Sequence, residues 1–369
     1  MDPDDELEAL RAQAGEHAAQ LRALALSVDA APDRVDEHLS SPAMQAVRGL
    51  DPIALGARRT VAMLVELARG DAGMVLACPG PALAGVVTGI IGSPEQQDRL
   101  RSAVADGRGW AFLAITEPDV GSDATALRTE LRPAGDGTFR LYGVKRYIGN
   151  GARARIGVVL ARTGPGPLAL RAVLVDGASP QLRARPLDMV GLRGAQISEL
   201  EFDGVPVGPQ DLLGEHLSPL RRGMWGVMQG FTTVRVQIAA MAVGTSLAVH
   251  EYVHAQRRGW RTGELAVLDR AHAEIAAVHR LTQRAAAAVD ADRRHTHPAS
   301  LAKLAAVSLA RTVTRRLPRL LGRGALLEHP LLEKWWRDVC AFEFMEGTSH
   351  IQRLHVAQHC LKNGFDHDN

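Results

Sequence analysis

Apolar residues recur at spacings of three and four from the start of the chain. Leu7, Leu10, Ala14, Ala18 and Leu21 fall on one helical face, which predicts a helix with one buried side. Pro32, Pro42, Pro52, Pro79 and Pro81 divide residues 1–110 into segments. Ser93-Pro94-Glu95-Gln96 carries the serine cap, first-turn proline and early acid of a helix start. At Trp110 the pattern changes to alternation and glycine turns that continue to about Pro209. Phe139 and Leu141 follow an Asp136-Gly137 turn, and Ile156–Leu160, Ala172–Val175 and Leu200–Phe202 are short apolar runs, which together predict a compact β-domain. From about Asp211 the helical period returns. Val234, Ile238, Met241, Ala248 and Tyr252 form one stripe, Leu268, Ala271, Ile275, Val278, Ala285 and Val289 a second, and Ser300 opens a third after Pro298. The expected organisation is an N-terminal helical domain (1–110), a middle β-domain (111–210) and a C-terminal close-packed helical bundle (211–369), a mostly α fold around a central β-domain.

Composition narrows the function. With 369 residues and 46% hydrophobic content the chain can build a large buried core, and a net charge of +2 gives no global field to attract nucleic acid or membrane. Only Lys145, Lys303, Lys334 and Lys362 among the 43 basic residues are lysine, which with abundant alanine reads as coding bias. Cys78, Cys340 and Cys360 have neither metal-ligand spacing nor the number for a disulfide framework, so a reducing cytoplasm is expected. The N-terminus MDPDDELEAL is acidic where a signal peptide is basic, and Ala82–Ile91 is too short to cross a bilayer; a soluble, unexported protein is expected.

Three stretches carry candidate chemistry. In Ala341–Leu354, AFEFMEGTSHIQRL, Glu346 follows Phe344 and Met345 and precedes Gly347. Phe342, Phe344 and Met345 would strip water from its carboxyl group and raise its basicity, as a general base requires, while Gly347 lets backbone or ligand approach. Thr348 and Ser349 then begin a capped helix whose N–H groups suit an anion. A buried loop acid satisfied by backbone amides is the plainer alternative. In Leu113–Asp123, LAITEPDVGSD, hydroxyl and backbone N–H groups gather at a strand exit, suited to a planar heterocycle or a phosphate, or simply to a turn. Gly143–Gly151, GVKRYIGNG, contains the makings of a tight turn at Gly149, Asn150 and Gly151.

These stretches resemble the acyl-CoA dehydrogenase family. M-E-G-T-S-x-I-Q-R is close to the family's Y-E-G-T-S-x-I-Q-R, I-T-E-P-x-x-G-S-D matches its flavin segment, and GSPEQQDRL is similar to the segment before its middle domain. The resemblance covers about Gly92 to Leu361. It implies a helical domain, a β-barrel-like domain and a four-helix bundle, with FAD between the last two and a second subunit completing the site. It implies Glu346 as the base that takes the substrate α-proton while hydride passes from the next carbon to the flavin, the thioester oxygen being polarised in an oxyanion-hole arrangement. Carried across by position, Leu113, Ile115, Thr116, Tyr147, Ile148 and Gly149 would line the flavin. Gly121 and Ser122 would meet its phosphates or the substrate, Thr348 and His350 would lie on the cofactor side, and Arg235 and Gly347 would face the substrate. Arg257 and Trp260 align with the R-x-x-F whose arginine reaches the FAD pyrophosphate of a neighbouring subunit, a task suited to a planar guanidinium, a solvated charge pair at a helix end being the plainer alternative. Gly322 is the surviving glycine of Q-x-x-G-G.

There are departures. Tyr147 replaces a tryptophan, Gly149 a threonine, and Leu268, Arg319 and Arg323 stand where the adenosine end is ordinarily held. Together with the short chain, GVKRYIGNGARA is similar to dehydrogenases of polyketide biosynthesis that oxidise a three-carbon acyl group on an acyl carrier protein toward hydroxymalonyl or methoxymalonyl extender units. The implied substrate is therefore a small acyl thioester of a carrier protein or of coenzyme A, oxidised by a homodimer or homotetramer. Arg221-Arg222, Arg293-Arg294 and Arg315-Arg316 would meet an acidic carrier protein or simply be solvated. Short-chain acyl-CoA catabolism, a flavin oxidase or oxygenase, and a non-catalytic nucleic-acid-binding member are the alternatives.

Overall fold

The computed structural model describes residues 3–219, 221–294 and 296–363. Six helices come first: α1 (Pro3–Gly15), α2 (Ala18–Ala30), α3 (Pro42–Arg48), α4 (Pro52–Ala77), α5 (Ala82–Ile91) and α6 (Pro94–Val104). Seven strands follow: β1 (Trp110–Ala114), β2 (Glu130–Gly135), β3 (Thr138–Ile148), β4 (Ala154–Arg162), β5 (Leu170–Asp176), β6 (Leu182–Pro186) and β7 (Ser198–Val207). The chain then returns to helix in α7 (Met224–Ala255), α8 (Thr262–Ala291), α9 (Thr296–Arg316), α10 (Ala325–Glu328), α11 (Pro330–Phe342) and α12 (Ser349–Asn363). The fold is mostly helical with a central sheet domain.

Sequence signals set most of these boundaries. Pro42 and Pro52 occupy the first turns of α3 and α4, where a missing N–H costs nothing. Ser93 and Gln96 close a reciprocal capping box, Gln96 N donating to Ser93 Oγ at 3.3 Å and Ser93 N to Gln96 Oε1 at 2.9 Å. Three expectations are corrected. The stripe from Leu7 to Leu21 is interrupted at Glu16-His17, giving two helices. Helix does not resume at Asp211 but at Met224, and α9 starts at Thr296, taking Pro298 into its first turn.

The chain forms two compact units. One comprises residues 77–189 and 195–231, the other 1–76, 190–194 and 232–369. In the first, the sheet runs β1-β4-β2-β3-β7-β6, with β5 pairing β4. β1 lies parallel to β4, and β2 and β3 form a hairpin closed by Asp136 and Gly137, both at positive φ. Gly157 of β4 has no side chain because the ring of Phe112 fills the space a Cβ would take. Ile91, Leu100, Ile115, Ile156, Val158, Leu160 and Leu174 form the core between this sheet and α5 and α6.

In the second unit α8 packs on α9, and α9 on α11 and α12. α4 is broken twice. At Gly56 the chain leaves helical geometry, and Asp290 of α8 caps the resumed helix by accepting from Ala57 N at 2.6 Å and Arg58 N at 2.9 Å. At Asp71 the backbone is extended, and its carboxylate caps the last turn through Met74 N at 2.8 Å. α7 has the length and hydropathy of a membrane span, but 89% of that stretch is buried within the protein, as in a core helix.

Candidate active site

Glu346 lies in the turn between α11 and α12. The turn is left-handed at two consecutive residues, Glu346 at φ 55° and Gly347 at φ 95°. Donors from three helices converge on its carbonyls. Arg235 of α7 donates Nε to Glu346 O at 3.2 Å, Gln352 of α12 donates Nε2 to Glu346 O at 3.0 Å and Gly347 O at 2.9 Å, and Lys303 of α9 donates Nζ to Gly347 O. A Cβ at Gly347 would lie 2.7 Å from Gln352 Nε2, so the close approach excludes a side chain there. Thr348 O accepts from Gln352 N at 3.0 Å, and Glu343 takes both Ser349 N at 3.0 Å and Ser349 Oγ at 2.7 Å, which completes the start of α12. Phe342 is fully buried, whereas Phe344 is 72% exposed, so the sequence expectation that Phe344 shields the acid is corrected.

The electrostatics raise the proton affinity of this acid. Burial pushes the Glu346 carboxyl up to about 7, against Lys303 first and Arg235 second, which favour its ionised form. Burial also draws Lys303 down to about 8 and Arg235 to about 10, each opposed by the charge of Glu346. His355 of α12 is held below its ordinary value by burial and by Arg235.

A buried ionic cluster anchors α11, the helix that delivers Glu346. Lys334 Nζ donates to both oxygens of Asp71 at 2.8 Å and to Asp338 Oδ2 at 2.6 Å, and Trp335 Nε1 donates to Asp71 Oδ2 at 2.9 Å. Burial alone would discharge Lys334, but Asp338 and Asp71 outweigh it and hold the ammonium well above its ordinary value. Asp338 also accepts from Leu192 N at 2.6 Å, and Arg337 binds Asp29 at 2.7 Å and Val190 O at 2.8 Å.

In the sheet unit, the strand-exit loop and the end of β3 are tied together. Lys145 is fully buried and donates to Ile115 O at 2.8 Å and Glu117 Oε1 at 2.9 Å. Glu117 also takes Thr129 N, Thr129 Oγ1 and Arg128 N at 2.6–2.8 Å. Arg146 N donates to Thr116 O at 2.8 Å, which sets Thr116 beside Tyr147 in the chain fold. Tyr147 itself sits at φ 63° and is 55% exposed, with the Arg146 guanidinium 5.5 Å from its ring centre. Gly121 and Ser122 are exposed, Leu113 and Thr116 half-buried, and Ile115 and Ile148 buried in the core. At Gly149 a Cβ would meet only Ile197 Cδ1, at 3.9 Å, so there is open space at this turn.

Arg257, Trp260 and the segment before Gly322 are also brought together. Arg257 Nη1 donates to Glu264 Oε1 and to Leu320 O, both at 3.1 Å, and its guanidinium lies 4.5 Å from the Trp260 ring. Gly322 is at φ 120° with open space around it. Leu268 is core, and His350, Arg319 and Arg323 are exposed. In the three surface pairs Arg222 bonds Glu215, Arg294 bonds Asp292 and Arg316 bonds Glu274. The sequence reading missed Lys303, Gln352, Asp71 and Glu117 as contributors. The signal available was lysine itself, rare in the chain and buried wherever it supports one of these bends.

Comparisons with known proteins identify the family of the chain. Residues 112–205 match the family model of the acyl-CoA dehydrogenase middle domain, and residues 221–361 that of the C-terminal domain. Cyclohexane-1-carbonyl-CoA dehydrogenase of Geobacter metallireducens is 31% identical over 282 residues, 73% of each chain. The mitochondrial short-chain specific acyl-CoA dehydrogenase of Bos taurus is 31% identical over 85% of this chain and 77% of its own. A glutaryl-CoA dehydrogenase from Mycobacterium smegmatis, solved in complex with FADH2, superposes with a TM-score of 0.79 over 99% of this chain and 96% of its own at 21% identity, a likeness of fold. On the matched domains and the similarity to these relatives, the chain belongs to the acyl-CoA dehydrogenase family and is an oxidoreductase of acyl thioesters.

Proposed function

We propose that this protein is an FAD-dependent dehydrogenase of a small acyl thioester, with Glu346 as the base. The observation that carries the reading is the Glu346 carboxyl, pushed up to about 7 by burial and fixed in a left-handed turn by Arg235, Gln352 and Lys303. A base with this proton affinity is about half ionised near neutral pH and strong enough to take an acidic proton beside a thioester carbonyl. FAD, when bound, supplies the two-electron acceptor for the hydride that leaves the neighbouring carbon.

The residues present fit that group. Thr116, Gly121 and Ser122 offer hydroxyl and backbone donors on a loop pinned by Glu117 and Lys145, Tyr147 presents an exposed ring, and Gly149 leaves room. Leu113, Ile115 and Ile148 would back the ring, and Thr348, His350, Arg257, Trp260 and Gly322 would serve the remainder of the cofactor. Arg235 and Gly347 then orient the substrate end. A relative solved with FADH2 supports the cofactor.

The substrate reading follows from Tyr147 and Gly149, which stand where the family has larger or more polar neighbours of the ring. We take the acyl group to be short and polar, a three-carbon hydroxylated unit on an acyl carrier protein bound for a polyketide extender unit, in a cytoplasmic homo-oligomer. Anaerobic bleaching of the flavin by carrier-protein and coenzyme A esters of graded length tests this. Fastest reduction by the three-carbon hydroxylated ester is expected, and faster reduction by a long fatty acyl ester would overturn it.

A further inference from the structure

Lysine is scarce in this chain, four of 43 basic residues. Three of the four are nevertheless among its most deeply buried side chains, Lys145 at 0%, Lys303 at 1% and Lys334 at 3% exposed. Each binds oxygen at a bend: Lys145 two oxygens at the exit of β1, Lys334 three at the break in α4, and Lys303 the Gly347 carbonyl at the turn before α12. A compact ammonium can point three donors at closely spaced oxygens in a volume that a planar guanidinium would overfill. A composition that writes arginine almost everywhere else thus keeps lysine where that geometry is needed.

Lys303 stands nearest in the chain fold to the chemistry. Its Nζ donates to Gly347 O, the carbonyl directly after Glu346, which Gln352 also engages at 2.9 Å. Arg235 and Gln352 hold the preceding carbonyl at 3.2 and 3.0 Å. We propose that Lys303 is a positioning residue for Glu346, pinning the Gly347 carbonyl and supplying the compensating charge for the base. This rests on Glu346 being the base.

The charged groups around Glu346 are Lys303 from α9, Arg235 from α7, His355 from α12 facing Arg235, and Glu343 in the same turn. Glu343 is itself engaged by Ser349 and, at 3.6 Å, by Arg311. Lys303 is the larger of the two cationic influences that lower the Glu346 carboxyl against burial. Without that charge the carboxyl must ionise at higher pH, since an opposite charge within reach moves a carboxyl by roughly 1–3 units.

The test is the pH profile of anaerobic flavin reduction in the FAD-loaded protein. Lys303→Met should move the acid limb up by about one unit or more, lowering the rate at neutral pH about fivefold or more, with partial recovery in alkali. Lys303→Arg retains a cation and should leave the limb within about half a unit of wild type while lowering the plateau. A Met variant whose limb stays in place, with the rate intact or evenly depressed, overturns the proposal. If the Met variant does not fold, wild-type protein labelled with 13C-lysine decides. Lys303, assigned by its loss in the Arg variant, should show an inflection at the ionisation of Glu346 near pH 7 that vanishes in Glu346→Gln, and a single-step titration would overturn the idea. A Glu346→Gln protein that reduces its flavin at the wild-type rate removes the base itself. A slow Glu346→Gln protein with an unmoved Met limb defeats the Lys303 assignment alone.

Discussion

Left-handed backbone crowds a glutamate's Cβ against the following carbonyl, at roughly 1–2 kcal/mol per residue. Glu346 adopts it at φ 55° because side chains from three helices bind the carbonyls on either side of the bend. Its raised proton affinity has a consequence for stability. The folded protein keeps this proton up to about pH 7, whereas an ordinary glutamate releases it at 4.5. The contribution of that proton to stability therefore falls as pH rises through this window and is level above it. Glu346→Gln lacks the titration. Its Tm relative to wild type should rise between about pH 5 and about pH 8, and a difference that stays constant across this range would mean an ordinary carboxyl. The turn acid and the turn glycine are legible in the sequence, because a lone acid after two large apolar residues and before glycine is an unusual string. Gln352 is not, since the oxygens it binds belong to backbone and carry no sequence signature, and Lys303 is marked only by the rarity of lysine in the chain.

Asp71 and Lys334 dominate at the scale of elements. One carboxylate ends a helix, caps the next turn and joins an ammonium from α11 that also binds Asp338. Removing one partner of a buried pair leaves uncompensated charge, which typically costs about 3–5 kcal/mol. Lys334→Met should therefore lower the unfolding free energy by about that amount in urea titration, and a loss below about 1 kcal/mol would mean that the cluster is well solvated. Asp290→Ala removes only the distant cap on α4 and should cost roughly 0.5–2 kcal/mol in the same assay. Neither break in α4 can be read from sequence alone. Residues 57–70 have an unbroken helical pattern of Val61, Leu64, Val65 and Ala68, and the groups that stabilise the interruptions lie more than two hundred positions away. The prolines, the Ser93 box and the Asp136-Gly137 hairpin are legible because each acts on its own neighbours.

The whole molecule presents the two halves of the proposed chemistry in different units, the hydroxyl-bearing loop with Tyr147 in the sheet unit and Glu346 with its donors in the helical one. Alternation and helical period reveal the class of each region, but the inclusion of residues 190–194 with the helices depends on Asp338 and Arg337, which only the folded chain identifies. If Glu117 and Lys145 fix the loop that receives the cofactor, Lys145→Met should weaken FAD binding by at least about tenfold in titration of the apoprotein, since an unpaired buried carboxylate must be protonated or solvated. Unchanged affinity would assign the pair to folding alone. The most direct test of the account is the rate of anaerobic flavin reduction by an acyl thioester in Glu346→Gln, compared with wild type at equal flavin content. A positioned base contributes on the order of 10²–10⁴, so the mutant should retain FAD and be slower by at least roughly 100-fold. A rate per bound flavin close to wild type, with altered melting or flavin content instead, would make Glu346 a structural acid and contradict the assignment.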